Sequence, residues 1–235
     1  MTGAFEAAPS LVPPSYRGRE QAWIKHQLLE SYLEKLMLIV GMAAKRQGTI
    51  EICYVDCFSG PWGTSELEST SIAVSLRTMA KCRQKLAELG VTASMRALYI
   101  ERDDEAFGNL ERYLDSATPD TVSAKCFHGD FVDLREQILT WSGRDSFTFF
   151  FVDPKGWKSI GIDKLRPLLQ RPRSEFLINF IYDFINRTAS MAEWQSDIAE
   201  FLGVPIEAVQ ELEHHSPQDR EEKLLGHYRS SLKAA

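Results

Sequence analysis

The stretch EICYVDCFSGPWGT, residues 51–64, constrains the fold of this chain more than any other. A run of β-formers ends at an acidic residue, Asp56, and turns directly into a loop carrying Gly60 and Gly63. The run is largely apolar on both faces, which is what a central parallel strand needs when helices cover the sheet on both sides. In an open α/β sheet, the loop at the carboxyl end of such a strand receives the ligand. The stretch therefore reads as the first strand and ligand loop of a nucleotide-binding α/β domain.

The rest of the chain supplies matching pieces. Apolar residues at Trp23, Ile24, Leu28, Tyr32, Leu33, Leu36, Met37 and Val40 predict a long helix over 21–44, with one wide apolar face packed on the sheet. A second helix over 71–89 completes a strand-loop-helix unit. Further strands are expected over 95–100, 122–127, 147–152 and 175–181, with helices over 105–114 and 132–139. From 189 to 235 helical periodicity returns at Trp194, Ile198, Phe201, Leu202, Ile206, Val209 and Leu212, without a further strand. Nine acidic residues stand against one arginine between 189 and 222, the character of a helical insertion or lid. At 235 residues and 44% hydrophobic content, the chain suits one domain plus an appendage. The division expected is a loose Pro-containing leader over 1–20, the α/β domain over 21–188 and a helical region over 189–235.

The polar residues at the strand ends carry the chemistry. Glu101 closes the second strand, where a carboxylate can accept two hydrogen bonds from a vicinal diol such as a ribose. With Asp103, Asp104 and Glu105 it would also favour the start of a helix. After the third strand, His128-Gly129-Asp130-Phe131 suits an adenine, with a carboxylate for the exocyclic amine and an apolar side chain over the ring. Asp130 reads equally as the N-cap of the next helix, and the two roles are compatible. The fourth strand, FTFFFV, ends in Asp153-Pro154-Lys155-Gly156-Trp157, either a ligand corner or a plain turn. Lys25 and His26 read as a solvated charge beside a surface histidine, or as a ligand-facing pair.

Composition narrows the classes. A net charge of −6 argues against coating a polyanion or an anionic membrane along the whole surface. Yet residues 154–174 hold six basic residues against one acidic, Asp163, a local patch that favours nucleic acid or simply a solvated helix face. Cys53, Cys57, Cys82 and Cys126 form no CxxC pairs; they read as reduced core thiols of a cytoplasmic protein, and no metal is expected. No apolar run reaches the roughly 18–20 residues of a membrane helix, and no secretory signal is expected at the N-terminus. A dinucleotide-dependent oxidoreductase would want GxGxxG after the first strand, whereas Pro61-Trp62 fill that turn.

In this order of strands and polar ends the chain resembles S-adenosylmethionine-dependent methyltransferases. The fold implied is Rossmann-like, a mostly parallel five-stranded sheet with helices on both faces and a C-terminal helical extension. More narrowly the chain resembles the three-Cys-motif partner family (TcmP), a bacterial and phage group. The likeness lies in WIKHQLLESYLEKL (23–36), YVDCFSGPWG (54–63), LYIERDDEAFGNL (98–110), FFFVDPKGW (149–157) and INFIYDFINR (178–187). The resemblance implies S-adenosylmethionine as cofactor, with Asp56, Gly60 and Gly63 bordering its methionine part and Phe58 in the same loop. It places Glu101 at the ribose, Asp130 and Phe131 at the adenine, and Asp153 toward the substrate. A separate protein bearing three cysteines is the implied partner.

The mechanism expected is methyl transfer to a nitrogen, an exocyclic amine of a nucleic-acid base. Asp153 and the Pro154 carbonyl would accept hydrogen bonds from the amine, and Trp157 would offer a flat surface to a flipped or single-stranded base. Lys155 departs from the Asp-Pro-Pro-aromatic corner of amino-group methyltransferases, which keeps open a second reading, a non-catalytic adaptor that retains the cofactor fold. The two strands that normally close this fold are expected to be missing, through truncation at Ala235 or with one sheet edge left for a partner.

Overall fold

The computed structural model describes residues 12–60 and 69–235, so Gly63 and the Pro61-Trp62 turn lie outside the described residues. Five parallel strands form one sheet: β1 (Thr49–Asp56), β2 (Thr92–Glu101), β3 (Val122–His128), β4 (Phe147–Val152) and β5 (Ser174–Ile178). Their order is β3-β2-β1-β4-β5, the Rossmann-like doubly wound arrangement expected from the sequence. The chain starts in the middle, winds outward to β3, then crosses back to β4. That reversal beside β1 opens a crevice at the carboxyl ends of the strands.

Each strand feeds two apolar layers because successive side chains point to opposite faces. Ile52, Tyr54 and Phe149 join one layer with α1 (Glu20–Ala43), α2 (Ser71–Glu88) and α3 (Asp104–Ala117), through Leu29, Leu33, Met79 and Leu110 among others. Val55, Phe150 and Val152 face the other layer, with α4 (Arg135–Ser142) and α5 (Ile162–Leu169). Side-chain caps set the starts of α2 and α3, where Thr70 and Asp103 accept from the backbone N–H groups of Ala73 and Ala106.

The helical region after β5 comprises α6 (Tyr182–Thr188), α7 (Ala192–Leu202), α8 (Ile206–Gln210), a 3-10 turn (Glu211–His214) and α9 (Pro217–Ala234). It is no lid. Phe201, Leu202, Leu224 and Tyr228 are buried in the same layer as Phe150 and Val152, so these helices complete the cover of the sheet while their acidic residues face outward. Among the described residues no further strand joins β5, and no helix is long and apolar enough to cross a membrane.

Two expectations at the N-terminal end need correction. Residues 14–19 are not loose: Pro14–Tyr16 forms a 3-10 turn, Tyr16 is buried against His26, and Arg19 donates to Ser69 Oγ at 2.5 Å. The face that α1 buries is His26, Leu29, Leu33, Met37 and Gly41, while Ile24 and Leu28 are 59% and 55% exposed. Helical spacing marks apolar positions but does not choose between two overlapping stripes.

Candidate functional site

A cleft of about 630 Å³ opens at the carboxyl ends of the strands, beside the reversal of winding. It brings together Phe58, Gly60, Glu101, Asp130, Phe131, Asp153 and Trp157 from four separate strand ends. Of the other predicted site residues that are described, Asp56 and Pro154 are buried and do not line it.

The loop after β1 begins by bonding to both neighbouring strands. Cys57 N–H donates to Phe151 O and Ser59 N–H to Ile100 O, each at 2.9 Å, and Gly60 follows with φ +71°. Asp56 is set beneath this loop. Its carboxylate accepts from Phe58 N–H (3.2 Å), Ser71 Oγ (2.9 Å) and Tyr54 OH (3.4 Å), which joins β1, the loop and the start of α2. Burial pushes its pKa up from 3.8 to about 7 and the nearby Asp153 adds to the rise, against the opposing pull of those hydrogen bonds.

Glu101 is nearly buried and lines the cleft. Its Oε1 accepts from the N–H groups of Arg102 (2.7 Å) and Asp103 (2.9 Å), while Oε2 has no hydrogen-bond partner among the described residues. At the end of β3, Asp130 Oδ1 accepts from Val132 N–H at 2.9 Å, and Oδ2 stands 3.8 Å from Arg102 Nη1, beyond hydrogen-bond range. Asp130 is therefore not the N-cap of α4. It closes a turn in which its carbonyl accepts from Asp133 and Leu134, and α4 starts only at Arg135. Gly129, at φ +145°, donates its N–H to Glu101 O; a Cβ there would lie 3.2 Å from Leu134 Cδ1. Phe131 packs on Phe58 at a centroid distance of 5.3 Å, giving an apolar ledge in the stretch of cleft that Glu101 and Asp130 line.

The other end of the cleft is aromatic and basic. Asp153 is held from two sides: Lys25 Nζ of α1 reaches Oδ2 at 2.6 Å, and Asn179 Nδ2, just past β5, donates to Oδ1 at 2.7 Å. Lys25 is thus neither a free solvated charge nor a ligand-facing one. His26 is buried with its Nδ1 3.0 Å from Tyr16 OH; burial first and the Lys25 cation second push its pKa down to about 4, so it is neutral near pH 7. Trp157, expected to offer a flat surface to a base, lines the cleft but exposes little of its ring. At 6% exposed it is wedged among Phe184, Trp194 and Phe201, with centroids 6.1, 6.4 and 5.3 Å away. The half-buried rings on the cleft wall are Phe184 and Trp194.

Asn179, Phe184 and Trp194 are the site residues that sequence reasoning missed; Lys25 was singled out, but not as the partner of Asp153. Phe184 stood in the stretch Tyr182-Asp183-Phe184 after the fifth strand, which was the available signal; Trp194 was counted only as helical periodicity.

The basic segment after β4 is dispersed. Lys158 Nζ bonds Asp197 at 2.5 Å and lies over the Trp157 and Trp194 rings; Lys164 Nζ donates to Lys158 O; Arg166 pairs with Asp163. Arg171 is buried, its Nη1 and Nη2 donating to the carbonyls of Gly143, Ser146, Pro172 and Arg173. The segment descends from the carboxyl end of β4 to the amino end of β5, so its cations span the height of the sheet. All four cysteines are free, and among the described residues no group of three or more His, Cys, Asp and Glu side chains is placed to hold a metal ion.

No protein-family model matches the chain, and no curated protein does. Among solved structures it is similar to "Loganic acid methyltransferase with SAH", at 9% sequence identity and a TM-score of 0.37, over 95% of this chain and 76% of that one. At so low a score, the cleft's own geometry is the ground for its function.

Proposed function

We propose that this chain is an S-adenosylmethionine-dependent methyltransferase that acts on a nitrogen. The observation that carries the reading is the pair of open acceptor atoms, Glu101 Oε2 and Asp130 Oδ2, on a cleft wall with the Phe58–Phe131 ledge. That set fits an adenosine, with a carboxylate for the ribose diol, a second for the exocyclic amine and an apolar surface for the ring. Gly60 lets the β1 loop approach a ligand closely, and Asp56 braces that loop from below; Gly63 belongs to the same expectation.

The bound cofactor would supply a methyl group on a sulfonium, which leaves as a neutral thioether. The chain's own part is alignment. Each Asp153 oxygen keeps a second acceptor position after bonding Lys25 and Asn179, so the held carboxylate can take an N–H from the acceptor amine and aim its lone pair. The Pro154 carbonyl, expected to take the other N–H, is buried and off the cleft lining, so Asp153 carries the alignment in this reading. A flat ring, such as a base in nucleic acid, would rest on Phe184 and Trp194 with Trp157 behind them.

A second reading, the non-catalytic adaptor, draws on the same ion pair, because Lys25 already occupies the substrate-facing carboxylate. Within either reading the TcmP resemblance supports a partner protein with three cysteines. The test is isothermal titration with S-adenosylmethionine and S-adenosylhomocysteine. Both should bind, and Glu101→Gln should weaken binding by about ten-fold or more, the loss of a charge-assisted hydrogen bond. Absence of binding to the intact protein removes the cofactor reading, and binding without methyl incorporation into any cell fraction favours the adaptor.

A further inference from the structure

We propose that the acceptor is a small planar molecule carrying one anionic group, bound with its ring against Phe184 and Trp194 and its anion at Lys155. The inference rests on the methyl-transfer reading for calling the bound ring an acceptor.

The charge arrangement argues for one anion rather than many. Of the six cations between 154 and 174, Lys158, Arg166 and Arg171 are committed to Asp197, Asp163 and backbone carbonyls, and Lys164 is turned to Lys158 O. Arg173 precedes β5 at the opposite end of the sheet from the cleft. Lys155 is left. It is exposed, it lines the cleft, and it has no ion pair or hydrogen bond among the described residues. A nucleic-acid strand would need a track of such cations, since its affinity comes largely from neutralising successive phosphates. Beyond the aromatic wall two carboxylates stand on α7 in addition to the Lys158–Asp197 pair: Glu193, which accepts from Trp194 Nε1, and Glu200. A strand leaving the cleft on that side would meet carboxylates.

Size and polarity agree. About 630 Å³ lies within the range of small-molecule sites, roughly 300–1,000 Å³. The end near Glu101, Asp103 and Asp130 has three carboxylates against one cation, Arg102, while at the end near Trp157 and Phe184 Asp153 is already paired with Lys25 and Lys158 with Asp197, leaving Lys155; a cofactor and a planar anion would sort to opposite ends. The shared chemistry is met by an aromatic carboxylate or by a nucleoside monophosphate.

The experiment is titration calorimetry on the full chain saturated with S-adenosylhomocysteine. The probes are 4-aminobenzoate against 4-aminobenzamide, adenosine 5′-monophosphate against adenosine, and a single-stranded deoxyadenylate of about twenty nucleotides. At least one of the two anionic probes should bind more tightly than its neutral counterpart, and which pair shows it names the source. Lys155→Ala should erase roughly five-fold of that affinity, the worth of one partly exposed ion pair. Lys155→Glu should weaken it further and Lys155→Arg should keep it, with binding of S-adenosylhomocysteine unchanged throughout. Equal affinity for charged and neutral rings overturns the inference, as does indifference to Lys155. So does an oligonucleotide that binds far more tightly than either small anion, with a salt dependence of several phosphates. If S-adenosylhomocysteine binds and no ring does, this inference falls alone; if S-adenosylhomocysteine does not bind, the methyltransferase reading falls with it.

Discussion

Trp157 and Trp194 show how one residue type divides between structure and surface. Trp157 was legible in the sequence because it follows Asp-Pro at the end of a fully apolar strand, where turn residues announce a site. What the sequence could not show was the company it keeps: Phe184, Trp194 and Phe201 arrive from α6 and α7, remote in the chain, and bury it to 6%. Truncating Trp157 to Ala should therefore cost about 3–5 kcal/mol of stability in urea unfolding. Trp194→Ala, at a half-buried ring, should cost well under half as much and leave the fold intact. Similar costs for the two would place Trp194 in the core and deny it to the cleft wall. The Lys25–Asp153–Asn179 contacts were invisible for the same reason, since each partner comes from a different element.

α1 was the element read best as to existence and worst as to orientation. Its span over Glu20–Ala43 follows from the recurrence of apolar residues, but two stripes compete, and the sheet takes the one through Leu29, Leu33 and Met37, all fully buried. The polar contacts of α1 with the sheet, Lys25 to Asp153 and Tyr32 OH to Glu175, set its place over β4 and β5. They are partly exposed and add little, whereas the apolar stripe carries the attachment. Leu33→Ala should lower stability by about 2–5 kcal/mol, while Leu28→Ser, on the exposed stripe, should stay within about 0.5 kcal/mol in chemical denaturation. A large loss at Leu28 would mean that something covers that stripe in solution. The strands, by contrast, were located to within a few residues, because the central strands of a doubly covered sheet carry near-continuous apolar runs such as ICYV and FFFV.

At the scale of the whole molecule, two buried titratable groups oppose one another. Asp56 keeps its proton up to about pH 7 when folded, against an ordinary value of 3.8, so its contribution is complete below that value and is lost as pH rises toward 7. His26 runs the other way. Its pKa is depressed from 6.5 to about 4, so its contribution is intact above 6.5 and is lost as pH falls toward 4. Between about pH 4 and 6.5 the folded chain holds one proton at Asp56 that the unfolded chain has released, and lacks one at His26 that the unfolded chain has bound. The two slopes cancel, and these groups leave stability nearly flat across that window. Asp56→Asn should break the balance while keeping the contacts, because an amide oxygen still accepts from Phe58 N–H and the hydroxyls of Ser71 and Tyr54 can accept from its NH₂. In thermal melts the variant's stability, relative to the parent, should climb from pH 4 to 6.5 by up to about 1.4 kcal/mol per pH unit. It should exceed the parent at pH 8, where the parent buries a charge. His26→Gln should do the reverse, with stability declining from pH 4 toward 7. A parent and an Asp56→Asn variant with parallel pH profiles would mean that the carboxyl under the β1 loop ionises normally despite its burial.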